Sequence, residues 1–233
     1  MASGSEAARN VSQLVLLDSN FSSMPKVVLE GRRVVNNVQK SSSLFLFKTL
    51  LTIMLTIVCI FVNEGLYFFD TANLLILESM VIGIPGFMLA LERNSQQIKG
   101  KFMFNIIKTS LSAASVAVIF VVAMLIFKFF DVFALQDPDV FRTMTIYAVL
   151  TTGFAMLYRM IRPVNIFRGI MYVVVVVISL LLIGYFPDLF HMVKLVNEVH
   201  YLLVMLMAFM GYALIALFDG LLSRIKLSTG KNS

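Results

Sequence analysis

The sequence predicts an all-α polytopic membrane protein with six transmembrane helices, preceded by a short segment of different character. Three observations carry that prediction. Six apolar stretches of 19 to 22 residues follow one another after about residue 43, each set off by charged or turn-forming residues. Hydrophobic residues make up 59% of the chain and charged residues 14%, with a mean hydropathy of +0.90. A soluble domain carries about 25% charged residues. Finally, the Lys and Arg residues fall in alternate loops, which gives the spans a direction.

Residues 1–43 come first. Met1 is followed by Ser3, Gly4, Ser5 and Glu6, not by the basic and then apolar run of a signal peptide. Leu14 to Leu17 form a short apolar run bounded by Asp18, Ser19 and Asn20, the pattern of one buried strand. After Pro25, the spacing of Val27, Val28, Val34, Val35 and Val38 predicts a helix that feeds the first span. One strand and one helix cannot bury a core, because units below ~40 residues rarely fold unaided. The sequence therefore lacks whatever covers this strand.

The spans are predicted at 44–62, 72–91, 106–127, 140–158, 166–186 and 199–218. Each can cross roughly 30 Å of hydrocarbon as a helix rising ~1.5 Å per residue. Sixteen of the 19 Lys and Arg lie in residues 1–48, 92–108, 159–168 and the tail after 220. The alternate loops, 63–71, 128–142 and 187–198, hold only Lys128, Arg142 and Lys194, with the carboxylates Glu64, Asp70, Asp131, Asp137, Asp139, Asp188 and Glu198. Excess Lys and Arg marks cytoplasmic loops, so both termini are expected in the cytoplasm. The net charge of +6 is thus read as topology and contact with anionic head groups, not as a nucleic-acid surface. The sole cysteine, Cys59, forms no internal disulfide. The 15 Met, including Met205, Met207 and Met210, read as packing and lipid-facing residues, not as a metal site.

One ionisable residue stands out inside a span. Glu78 lies seven residues into the second stretch, where a carboxylate implies a partner or a wet cavity. Pro85 cannot donate to the carbonyl of Val81, and Gly83 and Gly86 loosen the same turn. Val81 is three residues from Glu78, so the freed carbonyl and the carboxylate share a face. Such oxygens suit a hard cation. A protonated Glu78 hydrogen-bonded to a neighbouring helix is the alternative. Thr49, Thr52 and Thr56 form one helical stripe on the first span, either lining an ion path or bonding back to their own helix. Lys48 either snorkels to the membrane surface or acts as a built-in counter-cation for Glu78. Arg142 and Lys108 read as span-end anchors, and His191 and His200 as solvated loop residues.

The run from Ser3 to Thr49 resembles the end of the phosphorylation domain of P-type ATPases, running into their fifth membrane helix. That family shows a "VLLDDNF" strand and turn, then "EGR" and a doubled Asn; here these are Leu14 to Phe21, Glu30-Gly31-Arg32 and Asn36-Asn37. Ile82 to Glu92 is similar to the sixth helix of the bacterial "cation-transporting ATPase E" group of calcium pumps. The motifs cover about residues 1–95, and hydropathy the rest. The resemblance implies a remnant of an α/β HAD-like domain over 1–40, helices five to ten over 41–220 and a tail at 221–233. Aligned on Gly83-Ile84-Pro85, it places Glu78 at a family ligand position, with Thr49 and Thr52 where fifth-helix ligands occur. Ile82 departs from the Asp that muscle calcium pumps carry there.

The family's DKTGT, TGE and GDGxND motifs do not occur. The sequence therefore predicts no catalytic and no cofactor-binding residue here. ATP and Mg²⁺ are implied only for a complete pump, together with a catalytic headpiece and four earlier membrane helices as partners, alongside the lipid bilayer and the transported cation. The function implied is the transport portion of an ATP-driven pump for Ca²⁺ or another divalent cation in the cell membrane. A stand-alone six-span permease or partner subunit is the other reading.

Overall fold

A computed structural model of the chain describes residues 4–17, 20–62, 69–97 and 100–229. Helix α1 (Glu6–Val11) opens it, its first turn capped by the Ser5 hydroxyl, which accepts the Ala8 N–H at 3.3 Å. The predicted strand at Leu14 to Leu17 does not form, and no strand occurs among the described residues. Leu14 and Leu17 are exposed. A lone strand has no ladder to join, so its backbone stays without cross-strand partners. Asp18 and Ser19, which bound that run, and Glu64 and Lys99 in later loops, lie outside the described residues.

The helix expected after Pro25 and the first span are one element. Helix α2 (Met24–Val62) has 39 residues, about 58 Å at ~1.5 Å per residue. Pro25 sits in its first turn, where a missing N–H breaks no helical bond. Its apolar residues Val27, Val28, Val34 and Val35 are exposed, so the first half of α2 stands outside the bundle core.

The second span is interrupted. Helix α3 (Thr71–Leu77) is capped by the Asp70 carboxylate, which accepts the Thr71 N–H at 2.6 Å. It widens into a π-helical stretch, Glu78–Gly83, before α4 (Ile84–Leu91) resumes the normal pitch. The remaining spans are α5 (Phe102–Phe129), α6 (Pro138–Met160), α7 (Ile166–Tyr185) and α8 (Glu198–Thr229). Among the described residues six helical segments are long and apolar enough to cross a membrane, within about four residues of each predicted start except that of α2, with α8 running on past residue 218.

Helices α5 and α6 form the centre. The most apolar stretch of α6 is 72% buried, against 17% for α2 and α8. Small residues let α5 lie close to α2: Ser110, Ala113, Ala114 and Ala117 are fully buried, and the Ser110 hydroxyl donates to the Ser43 carbonyl at 2.8 Å. Close approach through small side chains is how helices gain contact where lipid removes a hydrophobic drive.

Polar contacts define the two ends. At the terminal end, α2 meets residues 90–96, Lys108 meets Ser223 at 3.3 Å and Arg159 meets Asp219 at 2.6 Å. At the opposite end, His191 bonds Asp70 at 2.5 Å and His200 bonds the Phe133 carbonyl at 2.7 Å. His200 is 4% exposed. The expectation of a solvated His200 is therefore corrected: it fastens the start of α8 to the turn after α5, where Phe133 has a positive φ of 64°. His191 is exposed as expected, and its hydrogen bond, with that of the Thr71 amide, holds the Asp70 carboxyl below the usual carboxylate range.

Candidate cation site at a widened helical turn

Glu78 begins the π-helical stretch, and local chemistry explains why the turn widens there. Pro85 has no N–H to give, so the i→i−4 ladder fails one turn ahead of it. The Ile84 N–H reaches back five residues to the Ser79 carbonyl instead. Gly83 permits the tight return. A Cβ at that position would sit 3.0 Å from the Glu78 carbonyl oxygen, inside ordinary contact. The turn is thus widened, not unwound as Gly83, Pro85 and Gly86 alone suggest. Such π-bulges recur at functional sites.

The bulge is braced from the side. Val81 is fully buried, and its methyl groups face Gly153 of α6, where an added Cβ would meet them at 2.8 and 3.2 Å. Glycine at 153 is what lets α6 pass this close.

Lys48 and Glu78 come together. The ammonium of Lys48, on α2, hydrogen-bonds the Glu78 carboxylate as an ion pair between the first two spans. Thr52 lies one turn further along the Lys48 face of α2 and is half-buried. Thr49 is exposed and donates its hydroxyl to the Phe45 carbonyl at 3.2 Å; Thr56 does the same to Thr52 at 2.8 Å. The structure therefore gathers Glu78, Lys48 and the Val81 turn, while Thr49 bonds within its own helix. No group of three or more His, Cys, Asp or Glu able to hold a metal occurs among the described residues.

A second polar assembly escaped the sequence reading. Arg33, Asn37, Ser41 and Lys48 fall on one stripe of α2, and each touches the 78–92 segment. Arg33 donates to the Glu92 and Leu91 carbonyls at 3.3 Å, Asn37 to those of Ala90 and Glu92 at 2.8 Å, and Ser41 to that of Gly86 at 3.2 Å. The Arg33 and Asn37 side chains satisfy carbonyls that the end of α4 leaves without helical partners. Asn36 adds bonds to the carbonyls of Asn94 and Gln96. The Glu92 carboxylate lies at the centre, bound to Arg168 at 2.6 Å, Asn165 at 3.0 Å and Lys40 at 3.3 Å. Burial opposes its ionisation, but Arg168 and Lys40 outweigh that cost and hold the carboxyl below its ordinary value.

Arg168 is 4% exposed and also donates to the Ile161 and Pro163 carbonyls. Beyond topology and contact with anionic head groups, the role expected for the charges of 159–168, Arg168 and Arg159 pair within the protein, Arg159 with Asp219. The four-residue spacing of Arg33, Asn37 and Ser41 was the available signal.

Known relatives of the chain share one family. A "Probable cation-transporting ATPase exp7" from Streptococcus pneumoniae serotype 4 is 30% identical over 180 residues, covering 74% of this chain and 23% of that protein. The chain's homologues are P-type cation-transporting ATPases. A "Calcium-transporting ATPase CtpE" from Mycolicibacterium smegmatis is 38% identical over 125 residues, 50% of this chain and 16% of that protein. A "Calcium-transporting ATPase 1" from Lactococcus lactis is 31% identical over 101 residues, 43% of this chain and 11% of that protein. The chain thus spans about a quarter or less of the length of these relatives. No family model and no solved structure matches it. The six apolar helices and these homologues together make this a membrane protein related to P-type cation-transporting ATPases.

Proposed function

We propose that this chain is the transport portion of an ATP-driven P-type pump for Ca²⁺ or a similar hard divalent cation, with Glu78 as its principal charged ligand. The observation that carries the reading is the Glu78–Lys48 pair at a π-widened turn inside a membrane span. A carboxylate at that depth is retained at a cost, and transport paths are among the functions such residues serve. Carboxylate and backbone oxygens suit a hard cation, and the printed names of the relatives include calcium transport.

In this mechanism Lys48 neutralises Glu78 while the site holds no transported ion. An arriving divalent cation competes with the ammonium for the carboxylate, and the long Lys stem lets the charge withdraw along the helix. The carbonyl of Val81 and the hydroxyl of Thr52 add neutral oxygens, and Thr49 can join only by giving up its bond to Phe45. ATP, Mg²⁺ and the phosphorylated aspartate belong to a headpiece and four further helices supplied by other residues. Residues 1–40 fit the end of that headpiece, and α2 fits the helix that carries its movement into the membrane. The positive-inside pattern supports a cytoplasmic position for both ends of the chain, and this reading assigns the bundle to the cell membrane.

Equilibrium binding of radioactive Ca²⁺ to the full chain in nanodiscs tests the ligand assignment. Glu78→Gln is expected to weaken binding at least about tenfold, ~1.4 kcal/mol. Lys48→Gln is expected to tighten it by removing the competitor. Equal binding by wild type and Glu78→Gln contradicts the assignment.

A further inference from the structure

A cleft that Glu78 does not line opens between α6, α7 and α8. Its volume is about 720 Å³, within the ~300–1,000 Å³ of ligand-binding pockets. Five of the chain's seven tyrosines line it: Tyr147, Tyr158, Tyr172, Tyr201 and Tyr212. Apart from their hydroxyls its walls are almost wholly apolar. Tyr147 and Tyr158 are eleven positions apart on α6, so the cleft runs about 16 Å along that helix, roughly half the hydrocarbon thickness. Its open side lies between membrane spans, and the medium there is lipid.

At the terminal end of the cleft stands Arg162. Its guanidinium lies over the rings of Tyr158 and Tyr212, 5.0 and 5.4 Å from their centroids, and donates to the Tyr158 hydroxyl at 3.4 Å. The other two arginines of this loop are committed, Arg159 to Asp219 and Arg168 to Glu92. Arg162 is exposed and pairs with no carboxylate among the described residues. Beside it Val164 and Ile166 are exposed, as residues at the level of the head groups would be.

We propose that this cleft binds an anionic phospholipid, its acyl chain along the tyrosine walls and its phosphate on the Arg162 guanidinium. The chemistry fits on both counts. A planar guanidinium matches phosphate with paired donors, and tyrosines suit a ligand that is apolar at one end and polar at the other. The uncompensated positive charge selects an anionic head group. This inference does not depend on the pump reading.

The chain contains no Trp, so its intrinsic emission comes from tyrosines, most of them in the cleft. The test reconstitutes the full chain in mixtures of phosphatidylglycerol and phosphatidylcholine, with either lipid carrying bromine on its acyl chains as a quencher. Brominated phosphatidylglycerol is expected to quench as a ligand preferred about fivefold, from ~1 kcal/mol per basic residue near anionic lipid. Arg162→Ala should bring the preference close to one, and Arg162→Lys should keep part of it. Ala213→Leu narrows the cleft without touching the charge and should reduce quenching by phosphatidylglycerol. Equal quenching by the two lipids in wild type overturns the proposal. So does an unchanged preference in Arg162→Ala, or no quenching by either lipid, which would mean that protein fills the cleft.

Discussion

Adding one methyl group at residue 153 should disturb the widened turn from the far side. In Gly153→Ala the new Cβ would lie 2.8 Å from one Val81 methyl and 3.2 Å from the other, distances at which something must move. Val81 cannot yield easily, since it is fully buried and β-branched, with one favoured rotamer in a helix. Its backbone belongs to the π-helical stretch, so the strain passes to the turn that carries Glu78. Overpacking of this kind costs about 1–3 kcal/mol. The partner change Val81→Ala removes the clashing methyls and leaves a cavity, costing ~2 kcal/mol by itself. If the two act independently, the double variant loses about 3–5 kcal/mol. If they share the contact, it loses only ~2 kcal/mol, a coupling of ~1–3 kcal/mol. Unfolding of the four proteins in mixed micelles with increasing denaturing detergent measures this. A Gly153→Ala variant as stable as wild type, or strictly additive losses, would refute the account of how α6 braces the bulge.

Other consequences follow from the terminal-end cluster and the opposite end. Arg168→Ala leaves a buried carboxylate with Lys40 as its remaining cation. Removing one partner of a buried pair costs ~3–5 kcal/mol, and the same unfolding assay should show a loss near the lower bound. Because the Glu92 carboxyl is held below its ordinary value of 4.5, the folded state binds its proton less readily than the unfolded chain. Its contribution is therefore present above about pH 4.5 and is lost as pH falls through the lowered value. Thermal midpoints from about pH 7 to pH 3 should fall more steeply in wild type than in Glu92→Gln; parallel curves would contradict this. His200→Ala leaves the Phe133 carbonyl without its donor and should cost about 1–3 kcal/mol. Hydrogen exchange should then increase at residues 131–135, and unchanged exchange would count against the role assigned to His200.

Local pattern made the helices legible and left long-range pairing hidden. Apolar length alone places the spans, because each backbone must satisfy its own polar groups within lipid. The junction at Pro25 was readable for the same reason, since proline in a first turn costs nothing. Pro85 with Gly83 marks where the second span departs from regular geometry. A broken ladder can unwind or widen, and only the contact of Val81 with Gly153, 72 positions away, shows which occurs. Lys48 was visible as a possible partner of Glu78, but a separation of 30 residues carries no period from which to infer the pairing.

The strand at Leu14 to Leu17 failed for a different reason. Its apolar run is real, yet a strand is a property of a sheet, and no described residue offers one. Arg168 and Glu92 look like ordinary loop charges until α2 supplies Lys40, Asn36 and Asn37 around them. His200 sits beside Glu198 in a polar stretch, and nothing in that stretch reveals the carbonyl of Phe133 at its Nε2.

The central claim is that this bundle moves a cation through Glu78 when a complete pump drives it. ATP-dependent uptake of radioactive Ca²⁺ into inside-out vesicles from the source cells tests it most directly. Vesicles with the unaltered gene would be compared with vesicles whose chromosomal copy carries Glu78→Gln, at equal abundance of the chain. The account predicts uptake in the first and loss of at least about nine-tenths of it in the second, the tenfold effect expected for a principal ligand. Equal uptake in both would contradict it.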